Sequence, residues 1–219
     1  MQKKNRGKEA IIRKGKSVFG NFKTPYSIQE FLNKIIYNHK YETKSPKYVV
    51  KVKTANCFEG ALFAAAALKS LGHKPLIVDL IAENDDDHVI AIFKENNNYG
   101  AVAKSNTTTL RFREPVYRTL RELIMSYFDF YINTLGEKSL RSYSRPVNLS
   151  MFDKYNWVCT DEDLDFIGNY LYKIKHFKIL NGKMKRSLNV VDKQFRDLCF
   201  HGSVKKGLFI PQKKMANKK

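Results

Sequence analysis

Residues 54–68, TANCFEGALFAAAAL, decide how the rest of the chain is read. Asn56 is a good helix N-cap. Glu59 follows three residues later, where its carboxylate can reach back to the cap's N–H in a capping box. Cys57 then takes the first helical position. Free backbone N–H groups and the positive end of the helix dipole favour a thiolate there. Phe58, Ala61, Leu62, Ala65 and Leu68 make one apolar stripe, and Phe63, Ala64, Ala66 and Ala67 fill most of the remainder. A helix apolar nearly all round belongs at the centre of a core. Gly72 is placed to end it in the left-handed cap conformation.

Outward from this helix, the flanks read as a mixed α+β chain. Ser27 to Glu30 forms a second capping box, opening a helix to about Tyr37 with Phe31, Leu32, Ile35 and Ile36 on one face. Residues 48–52 read as a short strand or an extended approach. Beyond Gly72, residues 75–81, 88–93 and 99–103 read as strands, the last two as an antiparallel hairpin around a loop at 94–98. Pairing across that loop sets His88 opposite Lys104 or Ser105, depending on register, with Asn106 nearby. The second half reads as mainly helical. Helices are expected at about 116–132, from 160–163 to about 175, and at about 187–202, with short β-prone runs at 155–159 and 176–180.

Composition bounds the function classes. The chain has 219 residues, 43% hydrophobic and 13% aromatic, which is globular composition, and carries a net charge of +19. The first sixteen residues hold seven Lys/Arg against one Glu, and the last sixteen hold six Lys and no acid. Much of the basicity therefore belongs to ends that are usually solvated, able at most to bind nucleic acid or acidic surfaces weakly and without specificity. The three cysteines, Cys57, Cys159 and Cys199, are far apart with no C-x-x-C, which suggests neither a zinc site nor a redox pair and fits a reducing compartment. The longest apolar run, Ala61 to Leu68, is too short to span a bilayer, so a cytoplasmic protein with no membrane partner is expected.

A helix-start thiolate is half of a cysteine catalytic centre. The other half is a base that takes the thiol proton and later protonates the leaving group, and histidine has the suitable pKa. His88 starts a strand after a short polar turn, where ring access is expected. Ser105 or Asn106, at the end of the neighbouring strand, can accept the ring's other N–H, and the Cys57 backbone N–H can meet an acyl oxyanion. Each has a plainer alternative. A lone cysteine in an alanine-rich helix serves as a small core residue. Asp85 to Asp87 is a solvated turn lacking EF-hand spacing. Asp79 can pair with His88 in place of Ser105, though its strand position points to a structural role. His39, His73, His176 and His201 read as surface or packing, and Arg111, Arg113, Arg118 and Arg121 as a solvated flank.

This helix-start cysteine, strand-start histidine and polar residue on the next strand resembles the transglutaminase-like superfamily, which shares a papain-type core. The segments that carry the likeness are 56–75, 88–93 and 99–107, within roughly residues 27–107. The resemblance implies Cys57 as nucleophile and His88 as base. It sets Ser105 where the family has an aspartate, a departure that removes a negative charge from the ring's partner. The tryptophan that often precedes that aspartate is also absent. The implied fold is α+β, a central N-terminal helix packed on a small antiparallel sheet, plus a helical C-terminal half. The domains expected are a basic, weakly ordered leader (1–20), a single domain (21–203: core about 27–107, helical extension about 108–203) and a basic tail (204–219).

Two functions follow as expectations. The first is cysteine-dependent acyl transfer or amide hydrolysis on a protein or peptide substrate through Cys57, His88 and Ser105 or Asn106, with no metal or organic cofactor required. The second is a catalytically inactive domain of the same fold that binds nucleic acid or another anion through its basic tails.

Overall fold

Helix α3 (Cys57–Ser70) forms over the residues expected and for the reasons expected. Asn56 accepts from the Glu59 N–H at 2.9 Å, and Glu59 Oε2 accepts from the Asn56 N–H at 2.9 Å, closing the capping box. At the other end Gly72 is at φ +94°, and the His73 N–H reaches the Leu68 carbonyl at 3.0 Å in a Schellman ending. Residues 59–68 are all buried. The computed structural model describes Phe19, residues 22–40 and residues 43–212. The leader expected over 1–20 lies outside them except Phe19, which is buried edge-on against Phe63.

Around α3 the element order is α1 (Pro25–Lys34), β1 (Ile36–Tyr37), α2 (Pro46–Val52), β2 (Thr54–Ala55), α3, β3 (Leu76–Ala82), β4 (His88–Glu95) and β5 (Asn98–Val102). Then come β6 (Arg113–Tyr117), α4 (Leu120–Phe128), β7 (Leu140–Ser144), β8 (Val147–Asn148), α5 (Asp165–Lys173), β9 (His176–Lys178), α6 (Gly182–Arg186) and α7 (Lys193–Cys199). β1 and β2 pair in parallel. The other strands form one antiparallel seven-stranded sheet in the order β6-β5-β4-β3-β7-β9, with β8 also paired to β3. The fold is mixed α+β. Among the described residues, no helix is long and apolar enough to cross a membrane.

The sheet is buried on both faces, and alternation sorts its side chains. Ile77, Val89, Ala91, Phe93 and Val102 pack with α3, α1, α2 and Trp157. Val78, Leu80, Ile90, Ile92, Ala101 and Ala103 pack with Leu123, Ile124, Tyr127 and Tyr131 on the other side. The β4–β5 hairpin turns on Asn96 and Asn97, both at positive φ, as a two-residue turn requires. The Gln29 side chain continues β5 by hydrogen bonding both the N–H and the carbonyl of Ala103, each at 2.9 Å. Lys104 is buried, and its Nζ donates to the Leu32 and Ile35 carbonyls at 2.8 and 2.6 Å, closing the end of α1.

Four expectations are corrected here. The second half is not mainly helical: β6, β7, β8 and β9 all join the sheet, and α4 covers only Leu120–Phe128. β6 is the edge strand, which is why it tolerates Pro115. Residues 46–52 are a helix, because Pro46 takes its first turn, Lys53 stops it at φ 58°, and Val49 is buried in the α3 core. The first capping box is made by Thr24 with Ser27, so α1 starts at Pro25 and ends at Lys34, leaving Ile36 exposed. Residues 155–159, expected as a strand, lie at the end of a 3-10 helix and in turns, with Trp157 Nε1 donating to Asp153 at 2.9 Å.

Candidate active site

Pairing of β4 with β5 stops at Ala91↔Val102. Extending that register by three residues sets Ser105 opposite His88, but the chain after Val102 has left the strand. Among the described residues, the start of β4 and Asp87 just before it have no strand partner on that side. The start of α3 fills the gap. Cys57 Sγ lies 3.8 Å from the Asp87 carbonyl, and the Val89 N–H is turned toward the sulfur. Cys57, His88, Ser105 and Asn106 all line one small cavity of about 60 Å³ beside this edge, with Tyr37 and Tyr131 in its wall.

Cys57 and His88 reach that cavity from opposite sides of the sheet. His88 alternates with Val89 and so shares the face of Ile90 and Ile92, away from α3. Its ring stands edge-on to Tyr131 at 6.4 Å between centroids. Its Nε2 is 2.9 Å from the Leu110 carbonyl oxygen. A carbonyl only accepts, so Nε2 carries the proton, and in the neutral ring Nδ1 is the lone-pair nitrogen. The acceptor that fixes the tautomer is thus a main-chain group.

The ring-orienting roles expected of Ser105 and Asn106 are not what their hydrogen bonds serve. Ser105 Oγ is bonded to Thr107 Oγ1 at 3.1 Å and accepts from the Thr107 N–H at 3.2 Å. Asn106 binds the C-terminal segment. Its Nδ2 donates to the Val204 and Gly207 carbonyls at 3.0 and 2.9 Å, and its Oδ1 accepts from the Val204 N–H at 2.8 Å. Residues 204–212 are accordingly docked rather than a solvated tail; residues 213–219 lie outside those described. The roles fall elsewhere because the loop after β5 turns these two side chains onto neighbouring backbone while Leu110 comes under the ring.

The electrostatics favour a neutral pair. Burial pushes the Cys57 thiol up to about 12, with Asp86 and Asp79 adding in the same direction and the Val89 and Phe58 N–H groups opposing. The helix start does not outweigh the loss of water. Burial pulls the His88 imidazole down to about 4, only partly opposed by the bond to Leu110. Asp79 is raised to about 6, chiefly by burial and then by the Asp87 carboxylate, and lies 3.5 Å from His176 rather than beside His88. Asp85 is raised to about 7, again by burial, and accepts from Ser139 at 2.6 Å. Asp87 Oδ1 accepts from the Ala82 N–H at 2.7 Å. The turn at 85–87 is thus tied into the fold more than its sequence suggested.

Of the four arginines, Arg118 and Arg121 are exposed, as a solvated flank would be, and Arg111 and Arg113 are half-buried. Arg113 stacks over Tyr127 at 3.9 Å and donates to the Thr109, Phe112 and Ser126 carbonyls. Arg111 bonds Ser105 and Asn33, and Arg121 the Ile179 carbonyl. Sequence reasoning missed Leu110, whose carbonyl is invisible in a side-chain pattern, and His176, whose partner comes from a distant strand.

Neither protein-family models nor curated proteins give a match to this chain.

Proposed function

We propose that the chain is a cysteine-dependent acyl-transfer enzyme or amide hydrolase, with a transglutaminase-like core carrying Cys57 as nucleophile and His88 as base. One observation supports this above the others: a helix-start thiol and a tautomer-fixed imidazole, on separate elements, line the same small cavity. The Leu110 carbonyl takes the place of the family's third side chain.

The reaction starts from thiol and neutral imidazole rather than from an ion pair. As Cys57 sulfur attacks the amide carbonyl carbon, its proton passes to His88 Nδ1, the C–S bond forms, and the negative charge collects on the carbonyl oxygen. The Cys57 backbone N–H at the helix start is a donor for that oxygen. Collapse breaks the C–N bond, and the imidazolium returns its proton to the departing amine. Water or a second amine then attacks the thioester with His88 again as base, regenerating the thiol and giving acid or a new amide. The substrate class is a protein or peptide amide, and no step draws on a metal or organic cofactor.

A second reading rests on the Asp87 and Val89 contacts: the thiol serves as a small plug for the free edge of β4. An aryl ester separates the two. With p-nitrophenyl acetate, an acyl-enzyme predicts acetylation of Cys57, reversible by hydroxylamine, lost in Cys57→Ala and slowed about tenfold or more in His88→Gln. Acetylation of Cys57 no faster than that of Cys159 leaves the plug.

A further inference from the structure

The Cys57 cavity is walled in part by the chain's own C-terminal segment. Gly207, Leu208 and Phe209 line it together with Cys57 and His88. At about 60 Å³ it holds a few waters. Ligand clefts run to several hundred Å³, so this cleft, though Cys57 is partly exposed in it, is too narrow for a substrate as it stands. Whatever admits a substrate must move part of this wall.

The segment is fastened near both ends and once more weakly between them, where Thr134 Oγ1 donates to the Phe209 carbonyl at 3.5 Å. Near its start, Asn106 makes three hydrogen bonds to Val204 and Gly207, and Ser203 Oγ donates to the Asn106 carbonyl at 3.2 Å. Near its end, the Gln212 N–H donates to Asn84 Oδ1 at 2.8 Å, and Asn84 Nδ2 donates to the Gln212 carbonyl at 3.1 Å. Between them Gly207 passes so close to Tyr37 that a Cβ there would stand 3.0 Å from the ring and 3.2 Å from Asn106 Nδ2. The apolar contribution comes from Leu208 and Phe209, which are half-buried, while Ile210 is 87% exposed and Val204 38%. A segment held by a few polar clasps and two half-buried side chains opens at lower cost than the fully buried sheet beneath it.

We propose that residues 203–212 are a strap that occupies the Cys57 cleft, and that the same groove takes in its place an extended peptide with a glycine followed by two bulky apolar residues. Glycine is favoured by the tight Tyr37 contact, and the two apolar side chains follow Leu208 and Phe209. The substrate class rests on the reading of Cys57 and His88 as the reacting pair; the closure does not.

The test uses the full chain and the rate of Cys57 alkylation by iodoacetamide, read by peptide mass spectrometry against Cys159 in the same molecules. Gly207→Val forces a side chain against Tyr37 and is expected to raise the Cys57 rate about tenfold; Asn84→Ala, which unfastens the far clasp, raises it about threefold. A synthetic peptide of residues 203–212 added to Gly207→Val restores protection, and the same peptide with valine for glycine does not. Labelling at the wild-type rate in both folded variants overturns the strap, and a peptide without effect overturns the peptide groove. If neither variant folds, hydrogen exchange on the wild type decides. The amides of Val204, Gly207 and Gln212 are then expected to exchange well ahead of those of Ile90 and Ile92, and equal protection overturns the strap. Should release expose Cys57 while adding His88→Gln leaves the exposed rate unchanged, the strap stands and the enzyme reading falls.

Discussion

His88 Nε2 donates to the Leu110 main-chain carbonyl at 2.9 Å, joining the first residue of β4 to the end of a 3-10 turn (Thr108–Leu110) twenty-two positions later. The bond leaves Nδ1 as the basic nitrogen. It also means that no side-chain substitution removes the ring's anchor, so the polar residues nearby can be changed without turning the imidazole. Ser105→Ala is expected to leave Cys57 acylation by an aryl ester within about twofold of wild type. A loss of tenfold or more, with the fold intact by circular dichroism, would return the orienting role to Ser105.

The buried imidazole sets an acid limb on stability. His88 has a folded pKa of about 4, below the ordinary 6.5, so the unfolded chain binds this proton more readily. Its contribution is fully present above pH 6.5 and is lost as pH falls toward 4. Asp85 and Asp79, raised to about 7 and 6, act with the opposite sign, since their burial penalty grows as pH rises from about 4. Comparison with His88→Gln cancels the carboxylates. Urea unfolding is expected to show wild type losing roughly 3 kcal/mol relative to the variant between pH 6.5 and 4. A pH-independent difference contradicts the buried neutral ring.

Glu59 holds three segments at the start of α3. It is buried, and its carboxylate accepts from the Asn56 N–H at 2.9 Å, the Lys44 N–H at 3.1 Å and Asn38 Nδ2 at 3.1 Å. Glu59→Ala leaves these donors in a dry place and is expected to cost about 3 kcal/mol. Glu59→Gln, which keeps one acceptor oxygen, should cost about half of that. Equal stability of Glu59→Ala and wild type in urea would show that the cap is not what holds Cys57 in place.

Gly60 marks the closest approach of α3 to the chain after β5. A Cβ there would lie 2.3 Å from Lys104 Cβ. In an isolated helix Gly→Ala stabilises by about 1 kcal/mol. Here the contact reverses the sign, and Gly60→Ala is expected to destabilise by about 2 kcal/mol. It also disturbs the Lys104 ammonium from the Leu32 and Ile35 carbonyls. A raised melting temperature would refute the close packing.

What could be read from the sequence was local and strongly patterned. The ends of α3 were legible because Asn56, Glu59 and Gly72 each have one physical reason to be where they are. Strands β3, β4 and β5 were legible because both of their faces are buried and their runs are nearly continuous in apolar residues. The second half was not, because its strands are short, polar or on the edge. Ser144 in β7 meets the Asp79 N–H at 3.0 Å, a cross-strand bond that no apolar pattern announces. Residues 46–52 read as extended because Val49, Val50 and Val52 are β-branched, whereas Pro46 opens a helical first turn. In the site, the four residues expected do share one cavity. Their division of labour was not legible, because one partner is a backbone carbonyl and Asn106 is engaged by a segment almost a hundred residues downstream.

The pairing of Cys57 with His88 is tested most directly by the pH dependence of Cys57 alkylation in wild type and His88→Gln. Glutamine keeps a donor for the Leu110 carbonyl and removes the base, and strap closure enters both rates alike, so their ratio reports the imidazole. The account predicts a ratio of about ten or more between pH 6 and 8, about half of that near pH 4, and a fall toward one only below it as the ring is protonated. A ratio of one across the whole range would contradict it.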